Sequence, residues 1–240
     1  MSPPRVAVVT PAFNEVHKVQ ASLENLVAAQ IGNIFAVDDG STDGTGAVMA
    51  AVKGVKVLGH ERRRGVGAAL RTGFAHAKAL GYDILAVASC VGKSRPEDVR
   101  RLVDTLTAGS WDFVQGSRFV RGGAGVNMPL HRSIGTRGYS ALFSLLAATR
   151  VSDGSSGIRV FRAALLDDAR IHLDQPWLDT YELEPYLYFK ALTLGYRVTE
   201  APIAILYPAD PKTHYTKMRV IRDWWRIARP LLFLRLGIKQ

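Results

Sequence analysis

The chain has 240 residues, 48% hydrophobic and 22% charged, with a net charge of +10 and a pI near 9.9. That length buries roughly 70–75% of the unfolded surface, so a core forms without staples. Cys90 is the single cysteine, which excludes a disulfide framework and a multi-thiolate metal site and fits a reducing, cytoplasmic setting.

Arg5–Thr10 is apolar and β-branched, the pattern of a buried strand, and Pro11-Ala-Phe-Asn-Glu15 breaks it. A helix follows with Val16, Val19, Leu23, Leu26 and Val27 on one stripe. Asn33–Asp38 is a second strand and runs into the capping-rich turn Asp38-Asp-Gly-Ser-Thr-Asp-Gly-Thr45, before a helix over 45–53. Val55–Leu58 is a third strand. Arg62-Arg-Arg-Gly-Val-Gly67 then leads into a helix with Leu70, Phe74 and Ala77 inside, stopped by Gly81. Ile84–Ala88 is the next strand. Pro96 opens a helix that continues through Val99, Leu102, Val103 and Leu106, and Asp112–Gly116 is a further strand. Strand and helix alternate at short spacing, which predicts an α/β domain with a mainly parallel central sheet and helices on both faces.

The second half is less regular. Gly122–Gly125 reads as a flexible loop, 130–148 as a helix, Ser152–Gly157 as a turn and Ile158–Phe161 as a short strand. Tyr181–Leu194 is a helix ended by Gly195, Arg197–Tyr207 one strand, and Met218–Leu236 a last helix. No apolar run approaches the ~20 residues of a membrane span. The N-terminus lacks the long apolar core of a signal peptide.

Open α/β sheets bind ligands at the carboxyl ends of their strands. Two neighbouring strand ends carry Pro11, Ala12, Phe13, Asn14 and Glu15, and Val37, Asp38, Asp39, Gly40 and Ser41. Asp38 and Asp39 can accept hydrogen bonds from a base N–H or ribose hydroxyls, or they form a plain helix-capping turn. The run Arg62–Arg64 with Gly65 and Gly67 holds a diphosphate or is a solvated basic turn.

Four stretches together resemble family 2 glycosyltransferases of the GT-A fold, in the dolichol-phosphate mannose synthase-like branch. They are Val9–Glu15, Val37–Thr45, Gly116–Gly123 and Asp153–Arg159. The resemblance covers about residues 5–207. It implies a GT-A domain over 1–215 that takes a nucleoside-diphosphate sugar, with Arg64, Gly67, Ser89 and Cys90 joining the two strand ends in the nucleotide slot. It also implies that Arg118, Arg132, Thr136 and Arg137 sit near the acceptor or donor phosphates, where an arginine fork binds oxygens bidentately. Lys212 and Lys217, with His214 between them, match a basic loop that closes over the donor. Glu182 matches an acidic position near the acceptor. It is the candidate general base for a hydroxyl acceptor, or a carboxylate favoured at a helix N-terminus. A polyprenyl phosphate acceptor, already an anion, needs no base.

One stretch departs from the pattern. The family's strand here ends in Asp-x-Asp followed by a polar residue, ligands for Mg²⁺ or Mn²⁺ on the diphosphate. This chain has Ser89-Cys90-Val91, then Lys93. Hard divalent cations need oxygen ligands. The expectation is therefore no cofactor, with a divalent metal less favoured than in relatives and Lys93 supplying the positive charge. The alternative is a repurposed or inactive scaffold that binds nucleotide or a partner. A thiolate role for Cys90 has less support than a place in the core.

Residues 216–240 form a basic amphipathic helix. Arg219, Arg222, Arg226 and Arg229 recur at 3-4-3 spacing on one face, with Ile221, Trp224, Trp225, Ala228, Leu231 and Leu232 over much of the rest. Such a helix suits an anionic membrane surface, consistent with a protein peripheral at the inner face, or packs on its own domain or on a second copy. Nucleic acid is not an expected partner, because the aromatics do not interleave with the basic residues as a stacking platform requires.

Overall fold

The computed structural model describes residues 3–92, 95–208 and 220–239, the last stretch with side chains from 225 onward. In chain order the elements are β1 (Val6–Ala12), α1 (Val16–Ala28), β2 (Asn33–Asp38), α2 (Thr45–Ala51) and β3 (Val55–Gly59). Then come α3 (Val66–Ala79), β4 (Ile84–Val87), α4 (Pro96–Ala108), β5 (Phe113–Ser117) and β6 (Ala124–Val126). The rest are α5 (Leu130–Ala147), β7 (Arg159–Arg162), α6 (Leu183–Thr193), β8 (Val198–Pro202), β9 (Ala204–Leu206) and α7 (Val220–Arg235). Short 3-10 turns at Ala163–Asp167 and Pro176–Leu178 link β7 to α6.

The central sheet has seven strands in the order β3-β2-β1-β4-β7-β5-β8. Its pairings are parallel except where β7 enters antiparallel to β4 and to β5. Strict alternation gives each strand two apolar faces. Ala7, Val9, Phe35, Val37, Leu85, Val87 and Phe161 face α3, α5, α6 and Leu231 of α7. Val8, Ile34, Ala36, Ile84, Ala86 and Val160 face α1, α2 and α4. Each fully buried Leu, Val, Ile or Phe contributes roughly 1.5–3 kcal/mol, so both layers are anchored by many such terms. The α/β sandwich with helices on both faces is the architecture predicted from sequence.

Two details depart from the predicted elements. Gly122–Gly125 is not a loop throughout: Ala124–Val126 pairs in parallel with Ala204–Leu206 as a separate two-stranded sheet. The single strand expected over 197–207 is therefore two strands in two sheets. The switch occurs at Ile203, whose N–H donates to the Ser117 carbonyl while its own carbonyl accepts from the Ala124 N–H. Pro202, which has no N–H, ends the first strand.

The turn before α3 is shaped by close backbone contact. Gly65 has φ +119°, and a Cβ at Gly65 or Gly67 would land on the Asp179 or Leu178 carbonyl oxygen. The Ala68 N–H donates to the Asp179 carbonyl at 3.0 Å. Both glycines thus make room for the 178–180 backbone. Gly67→Ala is expected to cost about 1–3 kcal/mol through overpacking, read as a lower thermal midpoint. An unchanged midpoint would show that the segment can move away freely.

Candidate active site

In this sheet β1 lies between β2 and β4. The chain leaves β1 toward β2 and β3 and then crosses back to β4. The carboxyl ends of β1, β2 and β4 therefore border the crevice where an open sheet changes direction. The predicted nucleotide-slot residues meet there. The Asn14 N–H donates to Ser41 Oγ at 2.9 Å, and the Thr42 N–H returns a bond to Asn14 Oδ1 at 2.9 Å. This double clasp, with the Asp39 N–H on the Ala12 carbonyl, fixes the two loops as one wall. Asp38 Oδ1 accepts the Ser41 N–H at 3.0 Å, a turn-bracing role.

Asp39 is buried, and its carboxylate organises the basic turn. Oδ1 accepts from the Arg64 N–H at 2.9 Å, Oδ2 from the Gly65 N–H at 2.8 Å, and the His60 ring lies 2.8 Å from Oδ1. His60 Nε2 continues to Thr72 Oγ1 at 2.9 Å. Nothing in the sequence marked His60, whose partner lies twenty-one residues upstream. The Arg63 guanidinium stacks over the Phe13 ring at 4.3 Å. Arg64 is exposed. The slot is thus rimmed by Arg62–Arg64, with an acidic brace beneath.

A second feature lies beyond β5 and β7. A cavity of about 140 Å³ is lined by Arg118, Arg132 and Thr136, together with Tyr139, Ser155, Arg159 and Glu184. Three of the four predicted phosphate-binding residues are therefore brought together. The fourth, Arg137, lies over the Phe119 ring at 4.3 Å and is not among the lining residues.

Arg118 is largely spent on its own support. Its Nε and Nη2 each lie 2.7 Å from an Asp153 carboxylate oxygen, Nη1 donates to Tyr207 Oη and Nη2 also to Ser155 Oγ. Burial alone would lower the Arg118 pKa, but the Asp153 bonds and charge outweigh it and raise it. Arg132 is half-buried beside the Tyr207 ring. Arg159 is fully buried, donating to the Glu184 and Ser156 carbonyls, and its Nε has no acceptor among the described residues. Burial lowers the Arg159 pKa, opposed by Glu184, and burial raises the Glu184 pKa, opposed by Arg159. Sequence placed Arg159 in a motif without a role. Only the register of β7, which turns it toward the α5–α6 side, supplies one.

Glu182, the candidate base for a hydroxyl acceptor or a carboxylate at a helix start, has both of its oxygens engaged. It is fully buried at the start of α6, with Oε2 accepting from Thr180 Oγ1 and Oε1 paired with Arg229. Arg226 Nε lies 4.0 Å from the same carboxylate. Both oxygens are committed to the domain and to α7. The four-arginine face predicted for a membrane is accordingly divided: Arg226 and Arg229 turn toward Glu182, while Arg219 and Arg222 lie outside the residues whose side chains are described. Leu231 is buried in the core, and Tyr139 Oη donates to the Ile227 carbonyl. Among the described residues no helix is long and apolar enough to cross a membrane.

The sequence model described as glycosyl transferase family 2 matches residues 7–170. The chain belongs to glycosyltransferase family 2. It is 27% identical to the UDP-N-acetylglucosamine–dolichyl-phosphate N-acetylglucosaminyltransferase of Methanococcus voltae, over 97% of this chain and 96% of that protein. It is 31% identical to the polyprenol monophosphomannose synthase of Mycolicibacterium smegmatis, over 83% of this chain and 76% of that one. Among solved structures, the mannosyl-3-phosphoglycerate synthase of Rubrobacter xylanophilus matches with a TM-score of 0.66 at 17% identity, covering 99% of this chain and 76% of that one. That likeness is one of fold, the GT-A fold.

In this family 2 glycosyltransferase the described part of the turn after β4 carries Ser89, Cys90 and Val91. Cys90 is buried and its thiol donates to the Pro11 carbonyl at 2.8 Å. Ser89 is half-buried, with its Oγ 3.4 Å from the Val91 N–H. Among the described residues no three His, Cys, Asp or Glu side chains converge as a metal site would need. One hydroxyl, one thiol and one isopropyl group do not fit Mg²⁺ or Mn²⁺. Lys93, Lys212 and Lys217 lie outside the described residues.

Proposed function

We propose that this glycosyltransferase moves a sugar from a nucleoside diphosphate to the phosphate of a polyprenyl phosphate. The supporting observation is the cavity in which Arg118, Arg132, Thr136 and Arg159 converge. Guanidinium groups recognise phosphate oxygens by paired charge-assisted bonds. The relatives from M. voltae and M. smegmatis carry dolichyl phosphate and polyprenol monophosphomannose in their names. A phosphate with a second pKa near about 6 is largely dianionic at neutral pH. It attacks the anomeric carbon without a base, consistent with the commitment of Glu182 to Arg229. The donor would lie along the β1–β2–β4 crevice, its diphosphate near Arg62–Arg64, with Lys93 the further cation that the sequence offers. On this reading the leaving diphosphate is stabilised by cationic side chains instead of a metal ion.

The test is transfer in detergent solution from UDP-N-acetylglucosamine and GDP-mannose to a short polyprenyl phosphate. Arg132→Ala should raise the acceptor KM about tenfold or more, the loss of one or two charge-assisted hydrogen bonds, with donor KM unchanged. Preference for the corresponding polyprenol over its phosphate would overturn the assignment.

A further inference from the structure

Three stretches of chain meet around Asp39, each tied to it or to Asp38. The Asp39 N–H donates to the Ala12 carbonyl at the end of β1. The Asp39 carboxylate takes the Arg64 and Gly65 N–H groups at 2.9 and 2.8 Å. The His60 N–H donates to the Asp38 carbonyl at 2.9 Å, and the His60 ring closes on Asp39 Oδ1 at 2.8 Å. Gly40, with φ +69°, lets the two turns touch: a Cβ there would lie 2.4–2.7 Å from the Arg62 and Arg63 backbone. The exposed arginines 62–64 therefore ride on a turn whose backbone is held by one carboxylate.

Such an anchor works only while the carboxylate keeps one rotation. The terminal torsion of an aspartate is soft, and a turned carboxylate would lose one of its two backbone donors. The His60 ring supplies the stop. A carboxylate oxygen only accepts, so Nδ1 carries the proton toward Asp39, and in the neutral ring Nε2 accepts from the Thr72 hydroxyl at 2.9 Å. Thr72 belongs to α3, whose Leu70, Phe74 and Ala77 are buried. A relay thus runs from α3 through Thr72, His60 and Asp39 to Arg64 and Gly65. The His60 and Asp39 side chains are 5% and 4% exposed, so water competes little for these bonds.

The geometry points to His60 as a positioning residue for the donor: through Asp39 it fixes the backbone at Arg64 and Gly65 and so aims the Arg62–Arg64 turn at the nucleoside diphosphate. Thr72 completes the relay by holding the ring. This role rests on the donor diphosphate lying beside Arg62–Arg64, and it belongs to a residue that touches no substrate. Charges set in place beforehand need no reorganisation when negative charge builds on the leaving group. The Arg63 guanidinium, parked over Phe13 at 4.3 Å, is held from the β1 side in the same way. Asp39 thereby gains a task beside any contact with the base or ribose.

The experiment combines calorimetric binding of UDP, GDP and inorganic pyrophosphate to the full chain with the detergent transfer assay. The nucleotide that wild type binds more tightly is then used with the variants. His60→Leu should weaken its binding and raise the donor KM by roughly tenfold, a coupling passed through one intermediate residue, with acceptor KM unchanged. His60→Asn, whose amide stands where Nδ1 stood, should restore most of the loss. His60→Gln, whose amide stands at the Nε2 position, should restore little. Thr72→Val, close in shape but without the hydroxyl, should fall between wild type and His60→Leu. A merely structural role would lower the thermal midpoints without separating asparagine from glutamine or donor KM from acceptor KM. Undiminished nucleotide binding by His60→Leu, or no difference between His60→Asn and His60→Gln, would overturn the proposal. Wild type that binds none of the three probes would overturn it together with the donor placement. Preference for polyprenol over its phosphate strikes the acceptor assignment alone, so the two readings fail separately.

Discussion

Asp153→Ala should unfold the protein under conditions where most surface variants leave it intact. The Asp153 carboxylate is completely buried and accepts the Arg118 backbone N–H, Nε and Nη2 together with the Ser155 N–H. Removing it leaves Arg118, a residue 7% exposed, with its main counter-charge gone. Breaking one side of a buried pair costs about 3–5 kcal/mol, a large share of the roughly 5–15 kcal/mol that holds a domain together. Chemical denaturation should show a correspondingly lower midpoint. The double variant Arg118→Met, Asp153→Leu should recover much of the loss, because replacing both members with apolar groups removes the stranded charge. If single and double variants fall equally, the cost is one of packing, and the ion pair is not its source.

Lys93→Ala should lower kcat by about 10²–10³, the scale seen when one preorganised group that stabilises transition-state charge is lost. Wild-type turnover should survive excess EDTA. Ser89, Cys90 and Val91 follow β4, and the Cys90 thiol donates to the Pro11 carbonyl. On the proposed reading the charge that meets the leaving diphosphate comes from the chain, and Lys93 follows Ser89-Cys90-Val91 in sequence. Activity lost on chelation and restored by Mg²⁺ or Mn²⁺ would sink this assignment. Tight nucleotide binding without turnover of any donor would favour the scaffold reading.

The first half of the fold was legible because its signals are local. Each of β1 to β5 is a short apolar run bounded by Gly, Pro or Asp, and α1, α3 and α4 carry one apolar stripe each. The second half resisted because its pairings are distant. Ala124–Val126 becomes a strand only through Ala204–Leu206, some eighty residues on, and three residues of alanine, glycine and valine carry no strand signal. The clasp of Asn14 with Ser41 and Thr42 could be placed from the strand ends. The role of Glu182 could not, because a carboxylate at a helix start looks alike whether it faces a substrate or Arg229. The turn Gly65-Val-Gly67 leaves a diphosphate site and a solvated basic turn both open on sequence, and its packing on the 178–180 backbone carries no sequence signal, because a phosphate cradle and a tight backbone crossing use glycine for the same steric reason.

The antiparallel strand β7 sets an order of events during synthesis. It fills the gap between β4 and β5, yet leaves the ribosome some seventy residues after the one and over forty after the other. Until residue 162 has emerged, the nascent sheet can hold only β1 to β4, with the apolar strand Ile84–Val87 as an unpaired edge. Such an edge is a template for pairing with other chains. The interval before β7 arrives is therefore the stretch of translation in which chaperone cover matters most, and a chain cut between 120 and 158 would carry that open edge permanently.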